Sequence, residues 1–144
     1  MTTTTNAADR EAPLTDDILL TERVTFLLER ANIRQFWMMF LDERDVQAPV
    51  VMPCADLPAD PDQAEGGANA ARLLAQNIAA LMAEFGFAQA VFAWERPGGP
   101  RVGDEERAWA RALGAACATE GVRVRAQFLV HDRGVRVLAP DDYA

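Results

Sequence analysis

The sequence predicts an α/β fold of the α+β kind, a mixed sheet flanked by helices in the order αββαβαββ. Three observations carry that reading. Stretches with apolar residues three and four apart alternate with short apolar runs, so helices and strands interleave along the chain. Two of those runs, Phe36 to Leu41 and Ala88 to Trp94, are apolar on both pleat faces, as strands covered above and below must be. Finally, 144 residues suit one domain around one core.

Residues 1–14, with a Thr run and no periodicity, read as a disordered tail, 15–140 as a single α/β domain and 141–144 as an acidic C-terminal tail. Thr15 is the expected N-cap of the first helix. Asp16 and Asp17 sit in its first turn, and Leu20, Val24, Leu27, Leu28 and Ala31 form its stripe up to Asn32. Ile33 to Leu41 and Val46 to Met52, joined by the acidic turn Asp42 to Asp45, read as a hairpin. Pro53, Pro58 and Pro61 then forbid regular structure up to Glu65.

Over Ala70 to Phe85 the residues Leu74, Ile78, Leu81, Met82 and Phe85 recur with helical period, and Gly86 stands where a left-handed glycine closes a helix. Ala88 to Trp94 is a buried strand. Asp104 reads as the N-cap of the next helix, with Glu105 and Glu106 at the positive end of its dipole, Trp109, Ala112, Leu113, Ala116 and Cys117 as its stripe, and Gly121 as its end. Val122 to Val130 alternates: Val122, Val124, Ala126, Phe128 and Val130 on one face, Arg123, Arg125 and Gln127 on the other. That pattern predicts a half-buried strand. His131 to Gly134 turns into a last strand, Val135 to Leu138, which Pro140 stops.

Composition removes several chemistries. The formal charge is -8, with 14 acids against 6 arginines in residues 1–93 and 8 of each in 94–144, a balance that argues against nonspecific nucleic-acid binding. There is no lysine for a Schiff base or a P-loop, and no serine for a serine triad. Cys54 and Cys117 lie apart in apolar settings and read as buried free thiols. No apolar run approaches the roughly 20 residues of a membrane span, and the N-terminus lacks the pattern of a secretory signal, so the expected location is cytoplasmic, with no membrane partner.

The stretch with the most functional promise is Ala90 to Glu120, in which a buried strand hands over through a Pro/Gly loop to a helix, the usual place for a site at a sheet end. Its candidate interaction residues are Trp94, Glu95, Arg96, Arg101, Asp104 and Arg107. The Gly98, Gly99 and Gly103 loop lacks the spacing of a dinucleotide or Walker motif.

The order of elements and the string from Trp94 to Val122 resemble the JAB/MPN metalloprotease-like domain, and within it the bacterial RadC branch. The resemblance implies a JAB/cytidine-deaminase-like sandwich. In that family a strand ends in a His-x-His-Pro-Ser-Gly loop, an Asp in the following helix completes a zinc site, and an upstream glutamate is the general base. Here the loop reads Trp94, Glu95, Arg96, Pro97, Gly98, Gly99. The family spacing places Asp104 on the helix-start Ser, Arg107 on the metal-binding Asp and, counting back from Leu41 and Asp42, Arg34 on the glutamate. Pro97 and Gly99 match, whereas the long helix after Glu65 departs from RadC proportions.

Arginine and tryptophan offer no lone pair to zinc. The resemblance therefore implies a JAB scaffold without its metal ligands, a pseudoenzyme with no catalytic residue, no metal and no cofactor. Val135 to Asp142 also resembles the ending of short actinobacterial sequences with a Val-Arg-x-Leu-x-Pro-Asp-Asp segment. The expected function is a noncatalytic interaction or regulatory module for an acidic protein partner, met through the Arg96 to Arg101 loop or through Arg123 and Arg125. The alternatives are a hydrolase using Glu95 and His131, or an anion or nucleotide sensor at the glycine loop.

Overall fold

The structure is a computed structural model and describes residues 9–143. Helix α1 spans Asp17–Leu28. Its cap is Asp16, one residue beyond the expected Thr15, because the Asp16 carboxylate accepts the Leu19 N–H at 2.8 Å. It also ends before Asn32: Glu29 has φ 58, which turns the chain off the helix axis. Strands β1 (Gln35–Leu41) and β2 (Gln47–Cys54) follow as the expected hairpin. β2 runs on through Pro53, which was expected to end it. It lies at the sheet edge, where a residue without an N–H costs no ladder bond on the open side.

A two-stranded ribbon, β3 (Ala64–Glu65) and β4 (Ala68–Asn69), lies in the stretch expected to be irregular. It closes on Gly66 and Gly67, both at positive φ (54 and 92), as a tight hairpin turn requires. Helix α2 (Ala70–Phe85) has the predicted bounds, capped by the Asn69 side chain and closed by left-handed Gly86. Strand β5 (Gln89–Glu95), helix α3 (Asp104–Thr119), strands β6 (Val124–His131) and β7 (Gly134–Leu138) and a 3₁₀ turn at Pro140–Asp142 complete the chain. Apart from the small ribbon, the order is the predicted αββαβαββ.

The main sheet has the order β2-β1-β5-β6-β7, and only β5 and β6 are parallel to each other. One face carries α1, with Leu20, Val24, Met39, Val91, Phe128 and Val130 in its core. The other carries α2 and α3 over Phe36, Phe40, Phe92, Trp94, Trp109 and Leu113. β5 lies at the centre and every one of its residues is buried.

β6 departs from strict alternation. Ala90 pairs with Val124 and Val91 with Ala126, so Arg125 is an extra residue in a β-bulge. The bulge sends Val124 to the two-helix core and Ala126, Phe128 and Val130 to the α1 core. From Gln127 onward β6 is buried on both faces, so the strand is not half-buried as expected.

Residues 9–14, expected in the tail, are tied to the domain at several points, although Asp9, Arg10, Glu11 and Pro13 stay exposed. Leu14 is buried and its N–H reaches Asp45 O at 2.8 Å. Arg10 reaches Gln47 O at 3.1 Å, and buried Arg23 holds both Gln47 Oε1 (2.7 Å) and Asp9 O. The rest of the expected tail, residues 1–8, lies outside the described residues. At the other end Asp142 stands in the 3₁₀ turn, accepting from Ala139 N (2.7 Å) and Arg136 Nη2 (2.8 Å).

Candidate functional site

β5 ends with Trp94 and Glu95 on opposite faces of the sheet. Trp94 is buried against Phe36 and Trp109, ring centroids 4.4 and 5.7 Å away, and its indole N–H donates to Gln127 Oε1 at 2.8 Å. Glu95 is 5% exposed yet fully used. It accepts the N–H groups of Asn32 (2.6 Å) and Ile33 (3.0 Å), Gln35 Nε2 (2.9 Å) and Trp37 Nε1 (2.7 Å). Burial pushes its pKa up, but these four donors outweigh that and hold it below the ordinary carboxylate value. Glu95 thus fastens the α1–β1 connection to the end of β5, and no lone pair is left facing a substrate.

The next residue organises the loop. Arg96 donates from Nε to Glu106 Oε1 (2.8 Å), from Nη1 to Gly99 O (2.7 Å) and from Nη2 to Arg101 O (2.5 Å). The guanidinium fills the interior of its own loop. φ at Gly98 is 121, which favours glycine, and a Cβ there would sit 3.3 Å from Arg96 Nη1, so the guanidinium would have to shift slightly. Glu106 also accepts the Gly103 N–H at 2.9 Å, which makes Gly103 the N-cap where Asp104 was expected. Asp104 is the first helical residue and is exposed. Burial pushes the Glu106 carboxyl up, and Arg96 and Gly103 more than offset it, leaving a lowered pKa.

Trp94, Arg96 and Arg34 line one small cleft with Glu106, Cys54 and Trp109; its cavity of about 20 Å³ has room for one water. Arg34 closes the mouth, donating to Glu105 Oε2 (2.7 Å), Leu57 O (3.0 Å) and Pro58 O (3.3 Å). Pro58 O also takes the Trp109 N–H at 2.8 Å, so the proline-rich segment is docked on α3. Of the five positions that the JAB spacing singles out, Arg34, Trp94 and Arg96 therefore meet, and Asp104 stands outside the cleft. Arg107 turns away to Asp142 O (3.1 Å) and pairs with Asp104 at 3.6 Å. Arg101 is exposed at the loop tip, with its carbonyl taken by Arg96.

This donor set does not fit zinc. Arg34, Arg96 and Trp94 present only N–H groups, each already bonded to a protein oxygen. No three His, Cys, Asp or Glu groups cluster to hold a metal among the described residues. His131 closes β6, buried, with Nδ1 accepting the Arg133 N–H at 3.3 Å; burial, then Arg96, lowers its pKa. Cys117 is buried and its thiol is pushed up to about 12, chiefly by burial, so it is inert near neutrality. Cys54, read as buried, is half-buried at the cleft.

A second surface lies at the Arg123 and Arg125 face, to which the structure adds Arg111 and an open strand edge. β7 pairs with β6 only from Gln127 to His131, so Val124, Arg125 and Ala126 have a strand neighbour on the β5 side alone. Beside that short edge, between the start of α1 and the outer face of α3, runs an open groove of about 720 Å³. Gly114, Ala115, Val124 and Tyr143 line it, with Arg111 and Arg125 alongside. Arg125 pairs with Asp17 at 2.8 Å, whereas Arg111, and Arg123 next to the edge, are exposed. The only sequence signal was the Arg123 and Arg125 pair; the edge itself depends on where β7 stops.

No helix of the described residues is long and apolar enough to cross a membrane. No family model matches the chain and no curated protein matches it either.

Proposed function

We propose that this chain is a cytoplasmic, noncatalytic interaction module on a JAB/RadC-like scaffold, and that it meets an acidic protein partner through Arg111, Arg123 and Arg125. The observation that carries this reading is the contrast in how charge is used. At the end of β5 every guanidinium and carboxylate of the cleft is bonded within the chain, and Glu95 alone accepts four donors. Such groups neither transfer protons nor bind metal without breaking the fold. Beside the β6 edge, two arginines stand exposed on a chain of net charge -8.

Support for the scaffold is the αββαβαββ order together with the meeting of Arg34, Trp94 and Arg96 at one cleft. The Arg96 to Arg101 loop is a weaker candidate surface, because Arg96 is consumed inside it. The hydrolase reading loses its base for the same kind of reason, since Glu95 has no free lone pair for a substrate.

The test is affinity capture from the native host with the wild-type chain and an Arg111→Glu, Arg123→Glu double variant. Acidic proteins enriched by the first and lost with the second are the expected result, and an unchanged set overturns the reading. Metal analysis of purified protein is expected to find far less than one zinc per chain, and stoichiometric zinc overturns it as well.

A further inference from the structure

We infer that the unpaired edge of β6, Val124 to Ala126, accepts an extended acidic segment of the partner protein as an added strand, lying in line with β7. The inference rests on the arginine-edge reading above and specifies how that edge is used. β7 leaves β6 unpaired for a local reason. After Leu138 the Asp142 carboxylate captures the Ala139 N–H at 2.7 Å and Arg136 at 2.8 Å, ending the strand in a 3₁₀ turn whose residues Ala139 and Pro140, with Tyr143, form one wall of the groove. The line that β7 would have continued is left as the groove beside Val124, Arg125 and Ala126.

An open strand edge offers main-chain donors and acceptors in the spacing of an extended peptide. The opposite sheet edge, β2, carries Pro49 and Pro53, which remove N–H groups there. No proline interrupts β6. The floor of the groove is small and apolar at Gly114, Ala115 and Val124, so it seats alternate small or branched side chains.

Charge selects the occupant. Arg111 and Arg125 flank the slot against the single carboxylate of Asp17, which leaves a local positive excess on an acidic chain. A second copy of this chain would bring the same arginines and a further -8 of net charge, whereas a strand bearing Glu or Asp is complementary.

The probe is acetyl-Glu-Val-Glu-Val-Glu-Val-amide, added to the full ¹⁵N-labelled chain and compared with two relatives. One is N-methylated on alternate peptide nitrogens and the other has lysine for glutamate. The acidic probe is expected to bind and to slow hydrogen exchange in the Val124 to Ala126 stretch by about tenfold or more, while N-methylation weakens binding by about tenfold. Arg111→Glu, on the exposed face of α3, is expected to weaken it by a similar factor without unfolding the chain. Equal binding by the N-methylated peptide overturns strand addition while leaving the arginine-edge reading intact. Equal binding by the lysine peptide overturns the acidic occupant. Failure of both glutamate peptides to bind overturns strand addition and counts against the arginine edge too.

Discussion

The end of β5 and the edge of β6 are both rich in arginine, yet they use it in opposite ways. At the end of β5, Arg34 and Arg96 each donate to a carboxylate and to main-chain carbonyls, and the segments they touch are drawn together. At the edge of β6, Arg111 and Arg123 reach into solvent. The difference teaches that a cluster of charged side chains at a sheet end is not by itself a site. What separates a brace from a binding surface is whether its donors and acceptors are already satisfied.

That contrast is broken most directly at Glu95. Glu95→Ala removes a buried carboxylate that gathers four donors, two on half-buried Gln35 and Trp37 and two on the main chain of exposed Asn32 and Ile33, and is expected to destabilise the fold by about 3 kcal/mol in denaturant unfolding. A loss of under about 1 kcal/mol means that the carboxylate does not fasten the α1–β1 connection. Glu106→Ala comes next. It frees the Gly103 N–H and leaves Arg96 without its anion, for an expected cost of about 2 kcal/mol.

Acid should weaken this end of the molecule, as it should the turns held by Asp42 and Asp142, whose carboxyls native hydrogen bonds also hold below the ordinary value. Both Glu95 and Glu106 titrate below the ordinary carboxylate value in the folded protein. Their contribution is thus fully present above the unfolded-state pKa, roughly 4.3, and is lost as pH falls through the lower folded values. Wild-type stability is expected to drop between neutral pH and about pH 3 more steeply than that of Glu106→Gln, which has no proton to take up there. Parallel pH profiles for the two proteins would remove Glu106 from the account.

How much of this was legible in the sequence depends on the distance over which each feature is determined. α2 was read to its bounds because its signals are local: apolar residues at helical spacing and a glycine at the closing position. The order of elements followed from periodicity, which is local too. The role of Glu95 was not legible, since the donors it gathers lie 58 to 63 residues upstream. The same holds for the docking of Leu14 on Asp45 and for the bulge at Arg125, which exists only in register with β5. Trp94, Glu95, Arg96, Arg101, Asp104 and Arg107 were singled out by position in a loop, and position says nothing of whether a side chain is already engaged.

The smallest effect on stability is expected where the proposed function is largest. Arg111→Glu and Arg123→Glu alter side chains that are exposed and make no ion pair within the described residues, so each should change unfolding free energy by no more than about 0.5 kcal/mol. Calorimetry on the two variants beside Glu95→Ala therefore separates the regions without knowledge of any partner. If Arg111→Glu costs as much as Glu106→Ala, the β6 edge is a second brace, and the distinction between the two arginine clusters collapses. If it is silent in stability but weakens capture of acidic proteins, then the arginines at this edge are held for an encounter, and the satisfied cluster at the end of β5 is the scaffold that presents them.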